Sequence, residues 1–159
     1  MAIAPPTSIV EPLMSAAPTM TDPVNGTRVW LFDDAATIVD QTMGSLTTSV
    51  ARYLTVSVES VMQQRWISAG KKVTFIHDWR RTRDYESEAR TMLIKWGRDS
   101  LKHARQVWVH IAPDSSPFIR IAVSTAIGAL KIARMPIDTA PDLAPLLKPL
   151  IAIKPVVLG

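Results

Sequence analysis

The hydrophobic positions of the chain follow two periods, one typical of strands and one typical of helices. Two β-prone runs, 29–32 and 37–39, are separated by the short acidic break 33–36 and predict a hairpin. The next apolar positions recur at steps of three or four, which predicts an amphipathic helix that ends at Gly70. They are Leu46, Val50, Leu54, Val58, Val61, Met62 and Trp66.

The same alternation of strand and helix patterns continues beyond this helix. The runs 73–79 (VTFIHDW) and 105–112 (RQVWVHIA) have the length and the β-branched, aromatic character of buried strands. Between them the apolar period predicts a second amphipathic helix. After them, Ser116 is predicted to cap a third helix over 118–133, with Pro117 at its first position.

The two ends of the chain complete the predicted organisation. Residues 135–139 predict a last strand and residues 142–153 a proline-broken closing helix, so the order is β-β-α-β-α-β-α-β-α, an α/β fold. Residues 1–25 hold five of the twelve prolines, lack Lys and Arg, and have no regular period. They predict a disordered, proline-rich tail. A single domain is expected over 26–150, followed by a C-terminal tail over 151–159.

Composition indicates a compact globular domain, because 47% of the residues are hydrophobic and 20% are charged. The absence of cysteine excludes a disulfide framework, a cysteine nucleophile and thiolate metal sites. It also fits a reducing cytoplasm, which is the expected location.

The net charge of +4 is unevenly distributed along the chain. Residues 71–110 carry ten Lys and Arg against five Asp and Glu, whereas residues 1–70 carry three against six. Such a basic segment can attract an acidic protein, a phosphate or nucleic acid. The alternative is a solvated helix face held by ion pairs.

Three arginines, Arg80, Arg81 and Arg83, follow the 73–79 strand directly. We therefore expect them in a loop at the carboxyl end of that strand, where open α/β sheets usually bind ligands. Guanidinium groups bind carboxylates and phosphates through paired hydrogen bonds. The loop over 80–88 is thus a candidate docking surface for a partner protein, and an exposed basic turn is the alternative.

Enzymatic and nucleic-acid functions have weaker support in the sequence. The six glycines form no phosphate-binding loop of the P-loop or dinucleotide type. Trp79 and Trp96 lie at predicted core positions rather than on a stacking surface. Neither a cofactor nor nucleic acid is therefore expected.

Two histidines, His77 and His110, fall in strands that would be neighbours in a parallel sheet. Together with Asp78 they suggest a metal or acid/base site. However, strand alternation puts His77 and Asp78 on opposite faces of the sheet. Buried, hydrogen-bonded histidines are therefore expected, with no catalytic or metal-binding residue.

The third helix is almost wholly apolar. A stripe of small residues, Ala122, Ala126, Ala129 and Ala133, is expected to let it approach the sheet closely. This packing would leave four larger side chains facing a second protomer or another partner: Ile119, Val123, Ile127 and Leu130. A homodimer or partner interface through this helix is the resulting hypothesis. Arg120, Lys131 and the length of the segment argue against insertion into a membrane.

The order of elements over about 27–150 resembles the STAS domain, the fold of bacterial anti-sigma-factor antagonists and of the cytoplasmic ends of sulfate transporters. The best local match is VTFIHDWRRTRDYESEARTMLIKWG, residues 73–97. The resemblance implies a small mixed sheet with helices packed against it. It also implies a non-enzymatic regulatory or scaffolding module that binds another bacterial signalling protein.

The resemblance also gives Ser87 a possible role. In the antagonists, a serine that opens a helix is phosphorylated by a partner kinase, and Asp84-Tyr85-Glu86-Ser87 occupies the corresponding place here. The family's glycine is missing and Glu86 and Glu88 flank the serine, so a permanent negative charge is an alternative to the switch. From the residues alone, Asp84 and Ser87 are also expected to cap the second helix.

A variant of the fold is similar to lipid-carrier domains. By that likeness, the alternative function is a carrier that encloses a small hydrophobic or lipid ligand between the sheet and the third helix. The high apolar content of residues 118–133 is compatible with it.

Overall fold

The computed structural model describes residues 13–159, apart from the side chain of Leu101. Its centre is one six-stranded sheet whose strands lie in chain order, β1 to β6. The pairs β1–β2 and β2–β3 are antiparallel, and β3 to β6 are parallel. The strands are β1 Met20–Thr21, β2 Arg28–Phe32, β3 Thr37–Leu46, β4 Val73–Tyr85, β5 Ala104–His110 and β6 Ile137–Thr139.

Four helices connect or follow these strands. Helix α1 covers 48–65 and is π-helical over Tyr53–Val58, between α-helical segments. The others are α2 Ser87–Ser100, α3 Pro117–Ile132 and α4 Ala144–Leu147. The predicted order is confirmed, with β1 as an addition at the sheet edge.

Local signals fix the helix ends as the sequence predicts. The side chain of Ser116 accepts the backbone N–H of Ile119 at 3.3 Å, which caps α3 directly before Pro117. A 3-10 turn over Ile67–Ala69 follows α1, and Gly70 ends it with a φ of 73°. That left-handed conformation has little cost for glycine.

Helices α1, α2 and α3 cover one face of the sheet and form the larger core. The structure corrects the predicted orientation of α3, because Ile119, Val123, Ile127 and Leu130 point into this core and are no more than 8% exposed. Burying four large aliphatic side chains removes more apolar area from water than burying alanines does. The apolar side chains that α3 leaves in solvent are instead Phe118, Ile121 and Ile132.

The opposite face of the sheet has its own core. Its buried members are Leu13, Met14, Trp30, Phe32, Val39, Ile76, Leu143, Leu147 and Leu150. Two of these lie before residue 26, so the predicted tail is wrong for residues 13–25. The indole N–H of Trp30 donates to Ala16 O at 3.0 Å, and this segment keeps Trp30 and Phe32 out of water. Residues 1–12, the remainder of that prediction, lie outside the described residues.

The C-terminal segment is also attached to the domain. Val156 N–H donates to Leu31 O at 2.8 Å, and Ile153 packs against the second core. Residues 151–159 are therefore not the free tail that the sequence predicts.

Candidate functional site

The basic stretch that follows 73–79 is strand rather than loop. Strand β4 continues to Tyr85, and only Glu86 separates it from α2. The reason is pairing with the long β3, in which Met43 lies opposite Arg81 and Leu46 opposite Tyr85. Two register shifts interrupt this pairing, and such bulges re-aim side chains at the ends of strands. The predicted 80–88 loop is thus corrected to an extended strand end.

Arg80 neutralises a buried carboxylate and is therefore not available as a docking residue. Its Nε lies 2.8 Å from Asp78 Oδ1 and its Nη2 lies 2.9 Å from Oδ2. Gln41 Nε2 also donates to Oδ2, at 3.0 Å. Burial raises the pKa of Asp78, but the hydrogen bonds from Arg80 and Gln41 outweigh it and leave the pKa below its ordinary value.

Arg81 and Arg83 are exposed at the carboxyl end of β4, as the sequence analysis anticipated for the arginines. They line a groove between the end of β3 and the segment that joins β5 to α3. We call it the basic groove, and its lining is Met43, Gly44, Arg80, Arg81, Thr82, Arg83, Ala112, Asp114, Ser115 and Ser116.

The electrostatics of the basic groove favour a negatively charged partner. The capped N-terminus of α3, at Ser116, borders the groove and adds the positive end of a sixteen-residue helix to the two exposed guanidinium groups. Among the described residues that line the groove, Asp114 is the only carboxylate. An acidic surface or a phosphate group can therefore bind here through charge-assisted hydrogen bonds.

Ser87 is exposed and opens α2, as predicted, but it is not among the residues that line the basic groove. Asp84 lies in β4 with its side chain exposed, so its predicted capping role is wrong. Glu86 instead accepts from the backbone N–H of Thr48 at 2.7 Å and from its hydroxyl at 2.6 Å. These two hydrogen bonds lower the pKa of Glu86, the one from the Thr48 hydroxyl by more than the one from the Thr48 N–H. The Glu86 side chain thus connects the start of α1 to the start of α2.

Tyr85 is half-buried between two neighbours. Its ring stacks on Phe118 with centroids 4.7 Å apart, and the Arg90 guanidinium lies 5.6 Å from its centroid. Arg90 is thereby directed to the tyrosine ring. Of the predicted docking residues, only Arg81 and Arg83 are both exposed and part of the basic groove.

The two strand histidines are separated by the sheet. His77 pairs with Val109, and His110 pairs with Asp78, so the imidazoles lie on opposite faces. His77 Nδ1 lies 2.5 Å from Asp40 Oδ2, and His110 Nδ1 donates to Ala140 O at 2.7 Å. The prediction of buried, hydrogen-bonded histidines is confirmed. In the part of the chain that the structure describes, no group of three His, Asp or Glu side chains could hold a metal ion.

An apolar cavity of about 90 Å³ lies between the sheet and helices α1 to α3. Most of its lining is aliphatic or aromatic, Trp79 included, but five other side chains also border it: Asp40, Glu59, His77, Thr82 and Arg90. Asp40 and Trp79 are the residues that the sequence analysis missed as site candidates. The available signal was alternation, which puts an aspartate on the same strand face as Ile38 within a β-prone run.

The fold defined by this sheet and these helices is STAS-like, as the resemblance in the sequence implies. No protein-family model matches the chain, and no curated protein matches it significantly. Among the helices of residues 13–159, none is long and apolar enough to span a membrane.

Solved structures share the fold at low sequence identity. An uncharacterised protein of the DUF3478 family from Shewanella loihica, described as having a SpoIIAA-like fold, is 14% identical with a TM-score of 0.52. The match covers 82% of this chain and 98% of that one. The anti-sigma factor antagonist SpoIIAA in its unphosphorylated form is 15% identical with a TM-score of 0.47, over 62% of this chain and 82% of that one.

Proposed function

We propose that this protein is a non-enzymatic regulatory or scaffolding module that docks an acidic partner protein in the basic groove. The observation that carries the proposal is the exposure of Arg81 and Arg83 at the carboxyl end of β4, beside the N-terminus of α3. Fold likeness alone does not give a function, so the proposal rests on this site.

The chemistry of the basic groove determines the kind of partner. The two guanidinium groups present planar donors that match carboxylates and phosphates, and the side chain of Arg83 makes no hydrogen bond within residues 13–159. Arg81 contacts only the Met43 sulfur, at 3.7 Å. Because neither side chain has an ion-pair partner among the described residues, both charges are available to an acidic surface.

Ser87 is the proposed point of regulation for this docking. It is exposed at the start of the fourteen-residue α2, where the helix dipole favours a phosphate. Glu86 is turned toward Thr48, which leaves Glu88 as the neighbouring carboxylate that would oppose a phosphate most directly. Phosphorylation would add negative charge four residues from Arg83 and thereby change the affinity for an acidic partner.

The docking proposal can be tested by site-specific cross-linking in the native cell. A photoreactive phenylalanine analogue at position 83 should capture one acidic protein, and the same analogue at Lys95, exposed on α2, should not. Capture of that protein at both positions, or at neither, would contradict docking in the basic groove.

A second candidate function, the carrier of a small hydrophobic or lipid ligand, is favoured by the apolar cavity under α1 to α3. Its volume of about 90 Å³ is far below the roughly 300–1,000 Å³ of sites for drug-sized ligands. A lipid would therefore require the helices to move away from the sheet. Native mass spectrometry of the gently purified protein separates the two functions, because a lipid carrier retains bound lipid.

A further inference from the structure

The cavity under α1 to α3 has a polar end formed by neighbouring strands. Asp40 of β3 lies directly opposite His77 of β4, and the rings of His77 and Trp79 have centroids 5.4 Å apart along β4. All three side chains border the cavity. The rest of its surface comes from residues such as Leu54, Val58, Met62, Phe75, Ile127 and Leu130.

Two atoms at this polar end lack partners. Asp40 is only 2% exposed, and while its Oδ2 is bound to His77, its Oδ1 is buried without a hydrogen bond among the described residues. The indole Nε1–H of Trp79 is also buried without a hydrogen-bond partner among the described residues. Native proteins seldom keep a buried acceptor and a buried donor unpaired, because each has lost the hydrogen bonds that it made to water in the unfolded chain.

The two unpaired atoms are complementary, and both belong to side chains that border the cavity. Trp79 lies two residues beyond His77, the cross-strand partner of Asp40, and its ring packs near the His77 imidazole. One atom accepts and the other donates. A single group that both donates and accepts can therefore bridge them.

A further feature of the cavity wall points to a binding role. Leu54 and Val58, which line the cavity, belong to the π-helical part of α1, Tyr53–Val58. Single π-helical turns are rare and frequently occur at functional sites. The unusual backbone of α1 thus lies at the cavity rather than elsewhere along the helix.

We propose that this cavity binds a small apolar molecule that carries a hydroxyl group. The O–H donates to Asp40 Oδ1 and the oxygen accepts from Trp79 Nε1–H, while the apolar body lies among the aliphatic side chains. At this polar end a hydroxyl fits and a carboxylate does not, because a carboxylate has no proton to donate to Asp40. Arg90, the cation that also lines the cavity, is directed to the Tyr85 ring. The inference rests on the second candidate function and is independent of docking in the basic groove.

The size of the cavity limits the apolar body. A cavity of roughly 150 Å³ lined by aliphatic and aromatic side chains admits benzene, whereas this one holds about 90 Å³. A molecule with one aromatic ring therefore needs only a small outward shift of the helices. We accordingly choose single-ring compounds as probes.

The test is a titration of the ¹⁵N-labelled full chain with three probes of nearly the same shape: p-cresol, toluene and 4-methylbenzoate. The five tryptophans give five indole N–H signals, and Trp79→Phe identifies the Trp79 signal. Trp96 also lines the cavity, but its indole N–H already donates to Glu59. We expect p-cresol to shift that signal saturably and to bind about tenfold more tightly than toluene, the equivalent of one net hydrogen bond. No binding of 4-methylbenzoate is expected.

Matched variants isolate the polar end. In Trp79→Phe, the preference for p-cresol over toluene should fall severalfold, because one of its two hydrogen bonds is lost, while toluene affinity stays the same. Trp108→Phe, the same change on the opposite face of the sheet, should leave both affinities unchanged. Equal binding of p-cresol and toluene to the wild type would refute the proposed hydroxyl site. It would still support a carrier of small apolar ligands. Binding of neither probe would refute both, and neither result affects the docking proposal.

Discussion

Arg80 and Asp78 lie on the same face of β4, where the guanidinium binds both oxygens of a carboxylate that is only 1% exposed. Removing the cation leaves a buried charge without its main partner, which is a large cost in folded proteins. We expect Arg80→Gln to lower the free energy of unfolding by about 3 kcal/mol at pH 7. Urea denaturation measures this directly, and Arg98→Gln, an exposed site on α2, is the control.

The same pair predicts a pH dependence. The pKa of Asp78 in the folded protein lies below its ordinary value of 3.8, so the ion pair stabilises the fold above that pH. This contribution is lost as the pH falls through the lowered pKa. In Arg80→Gln, burial still raises the pKa of Asp78, but the hydrogen bonds from Arg80 that lowered it are lost. The pKa of Asp78 is therefore higher in the variant. The deficit of the variant should therefore shrink below about pH 4, and a constant deficit down to pH 3 would contradict the assignment.

Helix α3 predicts opposite outcomes for two aspartate substitutions. Ile127 is buried in the main core, so Ile127→Asp should destabilise the fold by about 4 kcal/mol or more. Ile121 is 67% exposed, so Ile121→Asp should remain folded. Thermal unfolding followed by circular dichroism distinguishes the two.

The exposed side of α3 is also where we propose that two copies of the chain associate, in place of the buried residues first expected. Phe118, Ile121 and Ile132 form the apolar part of that side. Light scattering should show a dimer for the wild type and a monomer for Ile121→Asp. A wild-type monomer at micromolar concentration would contradict self-association through α3.

The end of α3 predicts a stabilising substitution. Arg134 N–H donates to Lys131 O at 2.8 Å and Met135 N–H donates to Leu130 O at 3.0 Å, the bonding pattern of a Schellman motif. Arg134 has a φ of 59°, which glycine adopts more readily than arginine. Arg134→Gly should therefore raise the free energy of unfolding by about 0.5–1 kcal/mol. Ala133→Gly, at a φ of −77°, should lower it instead.

The hydrophobic periods predict the elements of this fold well because a period is a local property of the chain. The 46–66 pattern gives α1 and the 29–32 run gives β2, each to within two residues. The 37–39 run gives only the start of β3, which continues to Leu46. By contrast, α3 is apolar on nearly every side, so its hydrophobic pattern does not indicate which side faces the core. Only the shape of the sheet beneath it determines that Ile127 is buried and Ile121 is not.

The candidate site depends more strongly on contacts between distant residues. Polar residues 80–85 show no strand pattern, and they extend β4 only because β3 is long enough to pair with them. The polar end of the cavity needs the register that puts Asp40 opposite His77, thirty-seven positions away. Neither relationship is visible in local sequence, whereas the exposure of Arg81 and Arg83 follows from their charge and their place toward the carboxyl end of the strand.

Ser87 predicts a change in partner affinity without a change in stability. Its side chain is exposed, so Ser87→Asp and Ser87→Ala should both unfold like the wild type. Only the aspartate adds negative charge, and it should weaken binding of an acidic partner by severalfold. Calorimetry with the captured partner measures this, and equal affinities for the two variants would remove the proposed regulation at Ser87.

The measurement that tests the docking function most directly is quantitative affinity capture from the native cell with paired charge reversals. Arg81→Glu with Arg83→Glu changes the basic groove, and Arg98→Glu with Lys102→Glu makes the same change in net charge at exposed positions outside it. We predict that one acidic protein binds the wild type and the control pair equally, binds the groove pair at least tenfold less, and is released by salt. Equal loss in both pairs, or equal retention, would contradict docking in the basic groove.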